Sequence, residues 1–200
     1  MGITVVEPLA ESVSYLIRFV ASVTTGESSP APSRALEGLP LSDLRLAAPH
    51  PVFNLETSAV VLGGNFETCR MTGWTYLVLA GSSVVATTGF AASHRDEKAL
   101  HAYVGGRRMA MALGDAIGLA ERSVRIRGGT FVLASIRLPA LQAASIWLRD
   151  ATGPGGKDWF VPILRTSEGF ASGQLLDGDR WMRRLVRARQ RFLRTAGNGE

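Results

Sequence analysis

Residues 71–93 read MTGWTYLVLAGSSVVATTGFAAS. Twenty-three residues pass without a charge, which is long enough to raise the question of a membrane span, yet only 13 of them are apolar. Thr, Val, Trp and Tyr favour strands, and Gly81, Ser82 and Ser83 stand at the midpoint as turn residues. The stretch therefore predicts two strands, about 74–80 and 84–91, joined as a hairpin. Neither strand alternates cleanly, so both faces are expected to be covered, which places the pair centrally in a sheet.

Upstream, SAVVLG at 58–63 fits a preceding strand. Farther upstream, Leu9, Val13, Leu16, Val20 and Val23 recur at steps of 4, 3, 4 and 3, while Glu7, Glu11 and Arg18 share another face. That spacing predicts an amphipathic helix over 6–24, whose stripe suits the chain's own sheet or a helix of a partner. Ser, Pro and Gly in GESSPAPSRALEGLP, residues 26–40, mark a loop or tether. The organisation expected is an N-terminal amphipathic helix at 1–24, a Ser/Pro-rich linker at 25–40 and a single α+β domain at 41–200.

Downstream, RDEKALHAYVGGRRMAMALGDAIGLAE (95–121) reads as a helix with Asp96 and Glu97 in its first turn. Small residues recur along it at steps of four: Ala102, Gly106, Ala110, Gly114 and Gly118. Glycine in a helix interior costs about 1 kcal/mol relative to alanine, so this ridge predicts a close approach by the sheet or by a second copy of the helix. A break at Gly105-Gly106 giving two short helices is the alternative. Three or more strands follow in SVRIRGGTFVLASIRL, QAASIWLRD and DWFVPILRT, with Arg125 and Arg127 alternating with Val124 and Ile126. TGPGGK between the last two is a turn. A P-loop would need glycine at Ala151 and a hydroxyl residue at Asp158.

Asp177 and Asp179 offer N-caps to a last helix at about 180–195. The class is thus α+β, an antiparallel sheet flanked by helices in the order helix, strands, helix, strands, helix. That order resembles the order in roadblock, profilin-like and PAS-like domains, a likeness of architecture carried by no motif. A sandwich or small barrel with added helices satisfies the same order.

Composition narrows function by exclusion. With 46% apolar and 20% charged residues, the chain is neither disordered nor fibrous. Its one cysteine, Cys69, can close no intramolecular disulfide and build no thiolate-rich metal site. The opening MGITVVEPLAES carries no early Lys or Arg, and Glu7, Glu11 and Arg18 interrupt the apolar run a signal peptide needs, so the expected location is the cytoplasm. No catalytic motif, cofactor motif or metal-ligand spacing is evident. His50, His94 and His101 are the only imidazoles, and His94 and His101 would share one side of the predicted helix. With Cys69 they are the material for an enzyme or small-molecule site not readable from spacing.

Charge is uneven. Of 22 basic residues, all but Lys98 and Lys157 are arginine, and residues 177–200 hold seven Arg against three acids. In DRWMRRLVRARQRFLR, at 100° per residue, Arg180, Arg184, Arg187, Arg191 and Arg194 fall within about 80° of one another, with Arg183 beside them. Trp181, Met182, Leu185, Val186, Ala188, Phe192 and Leu193 occupy the other side, with Trp181 and Phe192 expected in the core, and Arg189 alone crosses the division.

Two readings of function outrank the enzyme. One is a non-enzymatic interaction or assembly module, acting as a homo-oligomer or on a protein partner through Leu9, Val13, Leu16, Val20, Gly106, Ala110 and Gly114. The other is nucleic-acid or polyanion binding by Arg180, Arg183, Arg184, Arg187, Arg191 and Arg194. No transmembrane span, cofactor or metal is expected.

Overall fold

The computed structural model describes residues 2–8, 10–25, 35–56, 58, 60, 66–92, 100–123, 128–153, 156–163 and 173–197. These hold nine strands: β1 (Gly2–Thr4), β2 (Leu44–Asn54), β3 (Arg70–Ala80), β4 (Ser83–Ala92), β5 (Leu100–Gly105), β6 (Thr130–Leu138), β7 (Ala143–Asp150), β8 (Trp159–Pro162) and β9 (Leu176–Asp177). Three long helices accompany them: α1 (Ala10–Thr24), α2 (Arg107–Arg122) and α3 (Gly178–Gly197). The fold is α+β, with a mostly antiparallel sheet in the order β5-β4-β3-β2-β6-β7-β8-β9 and β1 added parallel to β6. The chain divides into two compact units, one of Val5–Val52 and Thr72–Gly114, the other of Met1–Thr4, Phe53–Met71 and Asp115–Glu200.

The first unit is built on the predicted hairpin. Trp74 faces Phe90, Tyr76 faces Thr88 and Val78 faces Ala86, and Gly81 takes the positive φ of 60° that its tight turn requires. Both faces are covered, as the missing alternation implied. Leu16, Val20 and Val23 of α1 bury themselves among Tyr76, Val78, Ala86, Phe90 and Val104, while Leu77 and Val84 on the opposite face meet α2 at Gly114. A Cβ at Gly114 would stand 3.3 Å from Val84 Cγ2, so the glycine lets helix and strand approach closely.

Four expectations are corrected. Residues 100–105 are strand β5, not the front of a helix, because tertiary pairing overrides local propensity there. Tyr103 reaches across β4 to hydrogen-bond Thr75, and the Thr88 hydroxyl donates to the Tyr103 carbonyl at 2.8 Å. The break at Gly106 therefore joins a strand to a helix, and Ala102 leaves the supposed ridge for the sheet. Residues 93–99 lie outside the described residues. Secondly, Ser58 and Val60 are helical rather than extended, their strand being replaced by β2. β2 carries Pro49 and Pro51, which usually break strands, and it accommodates them beside Ala48, whose φ of 48° marks an irregular backbone. Thirdly, α1 begins at Ala10 rather than at residue 6. Finally, Gly2–Thr4 forms a strand that the sequence did not advertise. Residues 26–34 of the expected linker, and 124–127 with Arg125 and Arg127, lie outside the described residues.

The second unit centres on an aromatic stack. Trp181 lies flat on Phe160, ring centroids 4.2 Å apart and planes 11° apart, with Trp147 and Phe66 continuing the cluster. Each buried indole finds an acceptor, as a donor taken from water must. Trp181 Nε1 donates to Ser145 Oγ at 2.9 Å and Trp147 Nε1 donates to Asp158 Oδ2 at 2.8 Å. The β7–β8 hairpin folds around Asp150. Its carboxylate accepts from the Thr152 hydroxyl and amide at 2.7 and 2.9 Å and from the Lys157 amide at 3.0 Å. The Thr152 hydroxyl first, then the two amides, hold that carboxyl below the usual Asp value. Gly156 admits this arrangement, since a Cβ there would overlap the Asp150 carboxyl carbon at 2.4 Å.

Candidate functional site

Asp177 starts α3. Its Oδ1 accepts the Arg180 amide at 2.7 Å, satisfying an N–H that the first helical turn leaves without a partner. Asp177→Ala is expected to cost about 1 kcal/mol, read as a lower urea midpoint with an unchanged circular-dichroism spectrum.

From this cap the helix divides as its pattern predicts. Trp181, Met182, Leu185 and Ala188 are buried, and Arg180, Arg183, Arg187, Arg191 and Arg194 are exposed. Arg189, which the pattern turns toward the apolar side, is half-buried. Past Ala188 the core ends: Phe192 is 46% and Leu193 52% exposed, so the expectation that Phe192 is core is corrected. The stripe outruns the surface that could bury it.

Arg180, Arg183, Arg184 and Arg187 line an open cleft of about 520 Å³ with Gln174 and Leu176. Arg184 is its anchor. Its Nη2 donates to Gln174 Oε1 at 2.7 Å, while Nη1 is buried and has no hydrogen-bond partner among the described residues. Removing a guanidinium nitrogen from water without an acceptor is costly. Among the described residues, the cleft wall contains no carboxylate. Asp177 meets Arg180 Nε at 3.4 Å in a surface pair with 39% of the Asp and 61% of the Arg side chain exposed, which contributes little. Gln174 and Leu176 escaped the sequence reading because no local spacing ties them to Arg184.

The other candidates lie elsewhere. Leu16 and Val20 are buried in the first unit's own core, Val13 is half-buried, Ala110 is buried and Gly114 touches Val84; a Cβ at Gly106 would meet open space. Leu9 lies outside the described residues. His50 is buried, its Nδ1 2.7 Å from the Ala48 carbonyl. His101 sits on β5 and not on a helix, which removes the shared face with His94; His94 itself lies outside the described residues. Cys69 is half-buried, and burial pushes its thiol up to about 11, outweighing the lowering effect of the Arg149 charge. A thiol so raised from 9.0 offers about a hundredfold less nucleophile at neutral pH. Cys69 is accordingly expected to react with an aromatic disulfide reagent at pH 7.5 far more slowly than free cysteine. Equal rates would contradict its burial.

Among the described residues, no three His, Cys, Asp or Glu side chains are grouped to hold a metal ion, and no helix is long and apolar enough to cross a membrane. No protein-family model, curated protein or solved structure matches this chain.

Proposed function

We propose that this protein binds the phosphate backbone of a nucleic acid through the arginine face of α3. The observation that carries the reading is the cleft lined by four arginines and, among the described residues, by no carboxylate. Planar, always-charged guanidinium suits phosphate, which it binds through paired hydrogen bonds. From Arg180 to Arg194 the row extends about 21 Å at 1.5 Å per residue, enough to follow several phosphates.

Two other readings have less support. A helix lying on an anionic membrane needs its apolar face free, whereas Trp181, Met182, Leu185 and Ala188 are buried. Assembly through the α1 and α2 stripes has lost most of its surface, because Leu16, Val20, Ala110 and Gly114 are occupied within the first unit.

The test is fluorescence anisotropy of a labelled random oligonucleotide at about 50 and 200 mM salt, between which several phosphate contacts weaken affinity by orders of magnitude. Replacing Arg183, Arg184 and Arg187 together by Gln is expected to weaken binding and to flatten the logarithmic salt slope by about 2 to 3. Absence of binding at the lower salt, or an unchanged slope in the folded triple variant, overturns the reading.

A further inference from the structure

A second cleft, of about 590 Å³, adjoins the first and shares Arg180 and Arg183 with it. Its chemistry differs. Phe66 and Met182 supply an apolar wall, and Lys157, Asp158, Asp177 and Asp179 bring both signs of charge. Phe66 is half-buried at the margin of the aromatic cluster, braced by Phe160 at 5.1 Å and Trp181 at 5.8 Å between ring centroids. Most of the carboxylate oxygens are already engaged. Asp158 accepts from Trp147 Nε1 and the Asp150 amide, and Asp177 from the Arg180 amide and guanidinium. Asp179 is exposed, and its carboxylate has no ion-pair partner among the described residues.

Building on the nucleic-acid reading, we propose that the protein takes single strands, with phosphates in the arginine-lined cleft and an unstacked base in the neighbouring aromatic cleft. Electrostatics sorts the two parts of a nucleotide. Phosphate is drawn to the wall without carboxylates in preference to the one where the repulsion of three carboxylates offsets Lys157, Arg180 and Arg183. A neutral base suffers no such repulsion, stacks on a braced ring such as Phe66, and offers amino hydrogens to a free carboxylate such as Asp179. A duplex keeps its bases stacked and paired, and so satisfies only the first cleft. Adenine, cytosine and guanine carry an exocyclic amine and thymine does not.

The experiment compares a single-stranded oligonucleotide with its matched duplex by anisotropy at about 50 mM salt, then oligo-dC with oligo-dT. The single strand is expected to bind about tenfold more tightly or better, and Phe66→Leu to reduce that advantage by a similar factor, in line with the contribution of one stacked base. Asp179→Asn, on an exposed side chain, is expected to lower the ratio of oligo-dC to oligo-dT affinity toward one. Equal affinity for strand and duplex, or a dC/dT ratio that Asp179→Asn does not alter, overturns the proposal. If salt-dependent binding persists in that case, the phosphate reading stands alone; if no oligonucleotide binds at all, both fail together.

Discussion

Trp181→Ala is expected to remove about 3–5 kcal/mol of stability, at the upper end of what truncating a buried aromatic costs. The side chain is fully buried, lies flat on Phe160 and donates to Ser145, which is itself only 2% exposed. Truncation therefore opens a cavity in the middle of the stack and also leaves a buried hydroxyl without its partner. Since small domains have only about 5–15 kcal/mol in total, the variant should unfold at a much lower urea concentration, measured by circular dichroism. Trp181→Phe separates the two contributions by keeping the ring contact and losing the hydrogen bond. A midpoint in Trp181→Ala within experimental error of the parent would mean that α3 does not depend on this contact.

Gly73→Ala is expected to be comparably damaging for a different reason. Gly73 has a φ of 155°, and a Cβ built on it would stand 2.0 Å from the Phe90 carbonyl oxygen and 2.9 Å from the Ala91 Cα. Both are backbone atoms of the neighbouring strand, so no side-chain rotation relieves the overlap and β4 itself must move. Adjacent Gly89 repeats the constraint from the other strand, with a Cβ position 2.1 Å from the Trp74 carbonyl oxygen and 2.8 Å from the Tyr103 hydroxyl. A conformation almost exclusive to glycine, added to displacement of a central strand, implies a loss of about 3 kcal/mol or more. Thermal unfolding checks it, and a shift of only a degree or two would show that the hairpin yields easily.

Much of this architecture was legible because its signals are local. An uncharged run with Gly81 and Ser82 at its centre sits on the hairpin, and Asp177 stands where the last helix begins. The arginine face followed from helical geometry alone. Failures occurred where distant segments decide. LHAYVG is extended because β4 and Thr75 hold it, and nothing within those six residues says so. β2 hid behind two prolines. In the site, the arginines share one helix and could be found by spacing, whereas Gln174 and Phe66 join them only through folding, from positions that no period connects.

The division into two units also bears on how the protein is made. The first unit has all its residues once position 114 has been synthesised, while the second gathers residues 1–4, 53–71 and 115–200. β1 must hold or regain its place until β6 is translated, since Gly2 pairs with Thr130. Strands β6, β7 and β8 then leave the ribosome before the helix bearing Trp181, so Phe160 emerges with the ring face that Trp181 covers still bare. During that interval the nascent chain displays the apolar aromatic surface that chaperones bind, and the arginine-rich helix is the piece that ends the exposure.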